Sequence, residues 1–314
     1  MYTGSLKDST KKLSSVPGLP NILATNLPWQ VGTKDDNEFM FNHVKHTGER
    51  AKEYDAILFN SYDELENKAM DVLVDESLKA LTVGPLVLLS SHESRCNMAS
   101  SGLWAHDKEC LNWLDSKTTS SVLYIAFGSI AILNITQLHE LALGIEATHQ
   151  PFLWVLRPDL MDGTHAQLPQ GFLERTKHRA LFIPWAPQPL VLSHPSIGAF
   201  LTHCGWNSTM EAISMGVPML TWPYFGDQKL NQQYIVEEWE VGMSFVASDD
   251  GVVDRQEVEN VIRSIISGKE GLEMRKRVEK LKDKANFALK KDVGLSYNNL
   301  QEIVKKIQNA RTIS

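Results

Sequence analysis

The 314-residue sequence has few cysteines and no long apolar run, and each shortage excludes a class of protein. Its three cysteines, Cys96, Cys110 and Cys204, form no CxxC pair, which argues against a disulfide framework and against a zinc cluster. No stretch approaches the roughly 18 consecutive apolar residues that a membrane-spanning helix needs. Because no signal peptide is recognisable either, the sequence predicts a cytoplasmic protein without a membrane span.

Positive charge is also scarce. The chain carries 31 Lys and Arg against 38 Asp and Glu, a formal net charge of −7. Nucleic-acid binding depends on clustered Lys and Arg, so no nucleic-acid partner is expected. Hydrophobic residues make up 43% and charged residues 22%, which excludes a disordered chain, and the length favours two structural units over one.

Short apolar segments alternate with helical segments in the second part of the chain, which predicts a parallel α/β sheet. The predicted strands are 121–127, 152–156, 181–184, 197–201 and 218–222, with helices near 135–148, 169–177, 187–193, 208–215 and 228–239 and a helical tail from 255. The earlier part is predicted as a long loop over 1–36, helices at 37–53 and 61–73, strands at 56–60 and 81–85, and an irregular linker at 86–109.

Several motifs that accompany such sheets are missing. No GxGxxG follows a strand, which argues against a nicotinamide or flavin cofactor, and no GxxxxGK[ST] loop indicates a P-loop enzyme. Neither HExxH nor GxSxG occurs, so a zinc-peptidase or α/β-hydrolase interpretation lacks its key residues. The ligand chemistry must therefore come from other residues at the sheet edge.

One strand end has the features of a phosphate site. The strand predicted at 197–201 leads to His203, a turn follows at Gly205, and a helix is expected to begin at Asn207 or Ser208. A glycine turn lets a ligand approach the backbone, and a helix start offers N–H groups and a positive dipole end. This segment therefore predicts an anion-binding turn.

Two neighbouring segments complete a nucleotide-sugar site. Trp185 follows the preceding strand, where its indole could stack on a flat base. Asp227 and Gln228 follow the next strand and offer the acceptors and donor that sugar hydroxyls need. Because ligands of open α/β sheets bind at this edge, the three features together predict a site for a nucleotide sugar.

The segment from Trp185 to Gln228 closely resembles the signature box of plant family 1 UDP-glycosyltransferases. It opens with Trp, contains HCGWNS and ends in DQ. The segments 59–66, 110–115 and 124–129 also resemble family segments, so the resemblance covers the whole chain. It implies an α/β GT-B fold of two Rossmann-like domains, with the N-terminal one incomplete. The implied domains are 1–89 (the rear of the acceptor domain), 90–109 (linker), 110–295 (UDP-sugar domain) and 296–314 (a C-terminal helix that could return to the acceptor domain).

The resemblance also implies residue roles. It assigns uracil to Trp185 and Ala186, ribose to Gln188 and Glu211, the diphosphate to Ser129, His203, Asn207 and Ser208, and the sugar to Trp206, Asp227 and Gln228. Gln at the last position of the box implies glucose rather than galactose. No cofactor and no metal ion are implied, with UDP-glucose as co-substrate.

Plainer interpretations stand beside these roles. Ser208 and Glu211 form the S-x-x-E pattern of a helix capping box. His203 taken alone would more often be a core histidine. Trp222 is interpreted as a core aromatic, and Cys204 as a small buried residue rather than a nucleophile.

The family's chemistry needs a histidine base oriented by an aspartate, and neither has a counterpart here. The resemblance begins partway into the N-terminal domain, and His43, His46 and His92 are assigned no catalytic role. The chain is therefore expected to be N-terminally truncated and to bind the donor without a catalytic base.

The implied reaction is metal-independent, inverting transfer of glucose from UDP-glucose to a small lipophilic acceptor such as a flavonoid or other phenolic. A non-catalytic UDP-sugar-binding or partner-binding fragment is the alternative, and a UDP-sugar epimerase is a third. The sequence predicts neither the acceptor nor the oligomeric state.

Overall fold

A computed structural model describes the protein at residues 12–13, 16–28, 34–75, 78–89, 109–128, 134–156 and 168–313. The chain divides into two compact units. The sheet unit comprises Ser91–Tyr224 and Asn231–Glu279, and the terminal unit comprises Met1–Ser90, Phe225–Leu230 and Lys280–Ser314.

The helices and strands follow the predicted pattern, with boundaries shifted by a few residues. The strands are β1 (Lys12–Leu13), β2 (Ile22–Leu23), β3 (Ile57–Phe59), β4 (Ala80–Thr82), β5 (Val122–Ala126), β6 (Phe152–Val155), β7 (Ala180–Ile183), β8 (Ile197–Thr202), β9 (Met219–Thr221) and β10 (Gly242–Ser244). The helices are α1 (Lys34–Arg50), α2 (Asp63–Asp75), α3 (Glu109–Asp115), α4 (Ile135–Thr148), α5 (Phe172–Thr176), α6 (Gln188–Leu192), α7 (Trp206–Met215), α8 (Gln228–Gln233), α9 (Arg255–Ser267), α10 (Lys269–Ala288) and α11 (Leu295–Ile313).

The sheet unit is built on a parallel six-stranded sheet in the order β10-β9-β8-β5-β6-β7. All residues of β5 and β8 are buried, which is typical of parallel strands covered by helices on both faces. Five of the six strands were predicted from their apolar runs. The sixth, β10, was missed because Gly-Met-Ser has no such run; it exists through parallel pairing with β9.

Alternation along β5 separates the two faces of the sheet. Leu123 and Ile125 lie in the main core with Leu141 of α4 and with α9. Tyr124 lies between them in the strand and stacks on Phe200 of β8, with ring centroids 4.9 Å apart. Because successive strand residues point to opposite faces, the Tyr124 side chain lies on the face opposite α4 and α9.

Short polar side chains cap the N-termini of α4 and α9, the two helices that cover the core face of the sheet. Asn134 accepts a hydrogen bond from the Gln137 N–H at the start of α4, at 2.8 Å. Asp254 does the same for the Glu257 N–H at the start of α9, at 2.9 Å. These side chains pair N–H groups that a helix leaves without an internal partner.

The terminal unit contains two small sheets. β3 and β4 pair in parallel, and β1 and β2 pair antiparallel. The prediction of a long loop over 1–36 is therefore wrong for β1 and β2, whose two-residue length is too short to show a period. The Tyr62 hydroxyl donates to the Leu281 carbonyl at 3.0 Å, and the Asn299 side-chain amide donates to the Thr82 carbonyl at 2.9 Å.

The predicted linker is only partly described. Leu86–Leu88 forms a 3-10 turn and α3 begins at Glu109, while residues 90–108 lie outside the described part of the chain. The domain boundaries stay a prediction. Within the described residues, no helix is both long and apolar enough to cross a membrane.

Candidate functional site

The strand order creates a switch point in the middle of the sheet. The chain enters at β5, runs outward through β6 to β7, and then returns to the other side of β5 with β8. In doubly wound α/β folds, the connections from the two strands at such a switch point leave in opposite directions and open a crevice beyond the carboxyl ends of those strands. Ligands of doubly wound α/β folds bind in this crevice.

His203 follows β8 at the switch point and lies against two glycines. A methyl group added at Gly128, which follows β5, would lie 3.0 Å from the imidazole, and one added at Gly205 would clash with its Nε2 atom. Gly128 also has a φ of +69°, which disfavours any other residue. The two glycines therefore set the space in which the imidazole lies.

The turn after His203 adopts a conformation that is unusual for its sequence. Cys204 has a φ of +64°, a region that costs a non-glycine residue about 1–2 kcal/mol. Two side chains hold it there: the Cys204 N–H donates to Thr202 Oγ1 at 3.2 Å, and Asn231 Nδ2 donates to the Cys204 carbonyl at 2.9 Å. Cys204 is fully buried, as predicted for a small core residue.

The next helix, α7, starts without a side-chain cap. It begins at Trp206 with Gly205 as its N-cap residue, whereas Asn134 and Asp254 cap α4 and α9. The predicted start at Asn207 or Ser208 was late by one or two residues. Gly205 has no side chain that could bond to the first N–H groups of α7. These N–H groups and the positive end of the helix dipole suit an anion.

Ser208 and Glu211 do not form the capping box that their spacing suggests. Both lie inside α7, and both accept hydrogen bonds from the Gln188 side chain. Gln188 Nε2 is 2.9 Å from Ser208 Oγ and 2.7 Å from Glu211 Oε2. These hydrogen bonds join Gln188 and Glu211, both predicted to hold ribose, with Ser208, which is predicted to hold phosphate.

A buried tyrosine completes this cluster. The Tyr124 hydroxyl donates to Gln188 Oε1 at 3.2 Å. The sequence does not predict this contact, because Tyr124 has the pattern of an ordinary buried strand residue. Burial raises the pKa of the Glu211 carboxyl, opposed by the hydrogen bond from Gln188. Burial also raises the pKa of Tyr124 well above its usual value, so its hydroxyl remains a donor.

Trp185 and Ala186 lie beyond β7, the edge strand of the sheet. Trp185 is half-buried and Ala186 is buried. Strands β5 and β6 separate β7 from β8, and α6 then brings Gln188 to α7. Stacking of Trp185 on a base stays a prediction.

Trp206, at the start of α7, belongs to an aromatic group. Its ring centroid lies 6.3 Å from that of Trp239, which in turn lies 5.3 Å from that of Tyr234. Tyr234–Glu238 forms a π-helical turn, a feature that is frequent at functional sites. No local sequence pattern marks Tyr234 or Trp239, because the fold brings their aromatic partners together.

The predicted sugar-reading pair belongs to the terminal unit. Asp227 is exposed, whereas Gln228 is buried and its Oε1 accepts from the Phe225 N–H at 3.0 Å. The sugar contact of both residues stays a prediction. Ser129 lies outside the described residues.

Other polar groups add no further candidate within the described residues. No group of three or more His, Cys, Asp or Glu there could hold a metal ion. His43 and His46 lie on α1, where the His46 ring hydrogen-bonds the Asn42 carbonyl at 2.8 Å, and His92 lies outside the described part. The sheet order and its polar edge define the class of protein: a doubly wound α/β fold of the nucleotide-binding kind.

Comparison with known proteins identifies the family. Residues 85–283 match the family described as UDP-glucoronosyl and UDP-glucosyl transferase. UDP-glycosyltransferase 85A1 of Arabidopsis thaliana is 41% identical over 295 residues, which are 93% of this chain and 60% of that protein. The 7-deoxyloganetin glucosyltransferase of Gardenia jasminoides is 41% identical over 297 residues, 94% of this chain and 61% of that protein.

A solved structure agrees with this assignment. UGT2 of Phytolacca americana, complexed with UDP-2fluoro-glucose and pterostilbene, matches with a TM-score of 0.82 and 33% identity, over 97% of this chain and 66% of that one. The chain belongs to the plant family 1 UDP-glycosyltransferases, and the predicted GT-B fold class is confirmed. The chain spans about 60% of the length of the curated relatives it matches.

Proposed function

We propose that the sheet unit binds UDP-glucose and that the whole protein transfers the glucose to a hydroxyl of a small lipophilic acceptor, such as a flavonoid or other phenolic. The observation that carries this proposal is the pair of hydrogen bonds from Gln188 to Ser208 and Glu211, which lie on a helix whose start lacks a side-chain cap. The names of the relatives, which include a glucosyltransferase, support glucose as the sugar.

The nucleoside is proposed to occupy the side of the crevice formed by α6 and α7. Trp185 supplies an aromatic face for uracil, and the Ala186 backbone pairs with the base edge. The Glu211 carboxylate uses Oε2 for the bond from Gln188, so Oε1 can accept from a ribose hydroxyl. The ribose contact is strongest when the carboxylate is ionised, because hydrogen bonds to a charged acceptor are stronger than those to a neutral one.

The diphosphate is proposed to lie at the turn between β8 and α7. The helix start provides N–H groups and the positive end of the dipole, and Asn207, Ser208 and Ser129 add side-chain donors. His203 lies beside the two glycines at the same turn and can donate through its ring. These groups would also stabilise the negative charge that develops on UDP as it leaves, without a metal ion.

The transfer itself is proposed to be an inverting displacement. The acceptor oxygen attacks the anomeric carbon, the bond to UDP breaks, and a general base removes the hydroxyl proton. No described histidine is assigned as that base. Asp227 and Gln228 are proposed to read the sugar, with Gln228 favouring glucose over galactose.

A binding experiment on the 314-residue chain tests the donor site directly. Calorimetric titration with UDP and UDP-glucose in the presence of EDTA should show binding, with UDP-glucose preferred over UDP-galactose. Product analysis with phenolic acceptors then tests this chain for transfer. Transfer supports the enzyme and contradicts the expected lack of a catalytic base, whereas binding without transfer agrees with that expectation and with a UDP-sugar-binding module. No binding of UDP would overturn both.

Two histidines at opposite ends of β8 provide a matched control. His203→Ala should weaken UDP binding roughly tenfold or more, since it removes a donor to a charged group. His194, which hydrogen-bonds Ser196 Oγ at 2.8 Å and Asp115 at 3.1 Å, precedes the strand. His194→Ala should leave the dissociation constant unchanged, and equal losses in both variants would count against His203 as a ligand.

A further inference from the structure

Tyr124 places one polar atom inside an otherwise apolar strand. The residue is the third of five in β5, is 1% exposed, and stacks on Phe200 at an interplanar angle of 21°. Strand and ring together hold the phenol in one direction. Its hydroxyl meets the Gln188 side chain, 64 positions further along the chain.

The Gln188 amide has one orientation that satisfies every partner. Its two amide hydrogens go to Ser208 Oγ and Glu211 Oε2, and its oxygen accepts from the Tyr124 hydroxyl. A flipped amide would turn its oxygen toward the Glu211 carboxylate, and two acceptors would then face each other. The hydroxyl on one side and the carboxylate on the other therefore select the same orientation.

Both amide hydrogens of Gln188 bond to protein atoms, which limits what this side chain can donate to a ligand. Gln188 can serve a ribose chiefly by holding the Glu211 carboxylate in place, while Glu211 Oε1 makes the contact. Without the phenolic hydroxyl, the Gln188 oxygen would lose a buried donor, and a flipped amide would release the carboxylate. The direction of Glu211 would then be less well defined.

We propose that Tyr124 is a positioning residue for the ribose site, acting through Gln188 on Glu211, and that it sets the preference for nucleotides that carry 2′- and 3′-hydroxyls. This inference rests on the proposed binding of a uridine nucleotide. It concerns how the site selects ribose, and Tyr124 itself touches no ligand.

The test compares two buried tyrosines that lose the same atom. Tyr124→Phe should raise the dissociation constant of UDP several-fold, up to about tenfold, as expected for one hydrogen bond. Tyr124→Phe should leave the dissociation constant of 2′,3′-dideoxy-UDP at its value in the unmodified chain, because that ligand lacks the hydroxyls that Glu211 is proposed to bind. Tyr62→Phe, which removes the hydroxyl bonded to the Leu281 carbonyl, should change neither constant.

A double-mutant cycle tests the route through Gln188. In a Gln188→Met background, Tyr124→Phe should have no further effect on UDP binding, because the side chain it positions is gone. Equal weakening of UDP and dideoxy-UDP by Tyr124→Phe, or additive effects in the cycle, would overturn the positioning role. Absence of UDP binding by the unmodified chain would overturn the proposed function, and this inference with it.

Discussion

The two compact units contain the same kinds of residue but differ in the size and burial of the sheets that carry them. In the sheet unit all six residues of β8 are buried, whereas in the terminal unit the middle residue of β3, Leu58, is 45% exposed. Each unit has a glutamate whose pKa is raised by burial and an asparagine that holds a backbone carbonyl. Among the residues that the structure describes, only those of the sheet unit lie at the carboxyl edge of a large parallel sheet. Such residues form a candidate site where a rigid sheet edge brings them together.

The largest expected difference concerns two leucines in the middle of strands. Leu201→Ala in β8 removes a fully buried side chain and should lower the free energy of unfolding by about 2–5 kcal/mol. Leu58→Ala in β3 should cost less than about 1 kcal/mol, because the side chain is already half in solvent. Urea unfolding followed by tryptophan fluorescence measures both. Equal losses would show that the exposed β3 surface is covered in solution.

Two glycines sharpen the comparison at the level of the site. Gly205→Ala should raise the dissociation constant of UDP by roughly tenfold or more, because the new methyl displaces the His203 ring and one donor to a charged group is lost. Gly48→Ala on the exposed face of α1 meets no described atom within 4 Å and should stabilise that helix by about 1 kcal/mol. Calorimetry and thermal melting record the two effects. Unchanged UDP binding by Gly205→Ala would remove His203 from the phosphate site.

Two asparagines that donate to backbone carbonyls at 2.9 Å form the third pair. Asn231→Ala releases the Cys204 carbonyl, so the left-handed turn loses a restraint, and UDP affinity should fall several-fold. Uridine, which lacks phosphates, should bind as before. Asn299→Ala releases the Thr82 carbonyl and should cost stability of about 1 kcal/mol without affecting UDP. A loss of uridine affinity with Asn231→Ala would indicate a general disturbance instead.

The smallest expected effect concerns pH and the two glutamates. Burial raises the pKa of both Glu66 and Glu211 in the folded state, so the folded protein binds more protons than the unfolded chain in the window just above the ordinary glutamate pKa. Stability therefore falls as pH rises through that window. Glu66→Gln and Glu211→Gln should each remove the contribution of that glutamate to this dependence, with a gain below about 1 kcal/mol at neutral pH.

Ligand binding separates these two variants. Glu211→Gln should also abolish the weakening of UDP binding as the pH falls toward the raised pKa, because the amide no longer titrates. Glu66→Gln should leave that pH profile as it is in the unmodified chain. Titration of UDP at several pH values distinguishes them, and identical profiles for the two variants would exclude Glu211 as the ribose acceptor.

Much of the candidate site was predictable because its residues lie close together in the sequence. The apolar runs of β5 to β9 mark buried parallel strands, and the box from Trp185 to Gln228 carries its own turn glycine. The first turn of α7 shows the limit of such local reasoning. The spacing of Ser208 and Glu211 fits a capping box, yet Gly205 starts the helix and Gln188 takes both side chains.

The sequence by itself determined which residues are available: a glycine turn after His203, a polar helix and apolar strands that must be buried. Tertiary structure decided what those residues contact. The switch between β5 and β8 brings His203 to Gly128, β10 exists only as a partner of β9, and Tyr124 reaches Gln188 across 64 positions. The physical reason is that a hydrogen bond or a strand pair needs two groups in one place, and a local pattern describes only one of them.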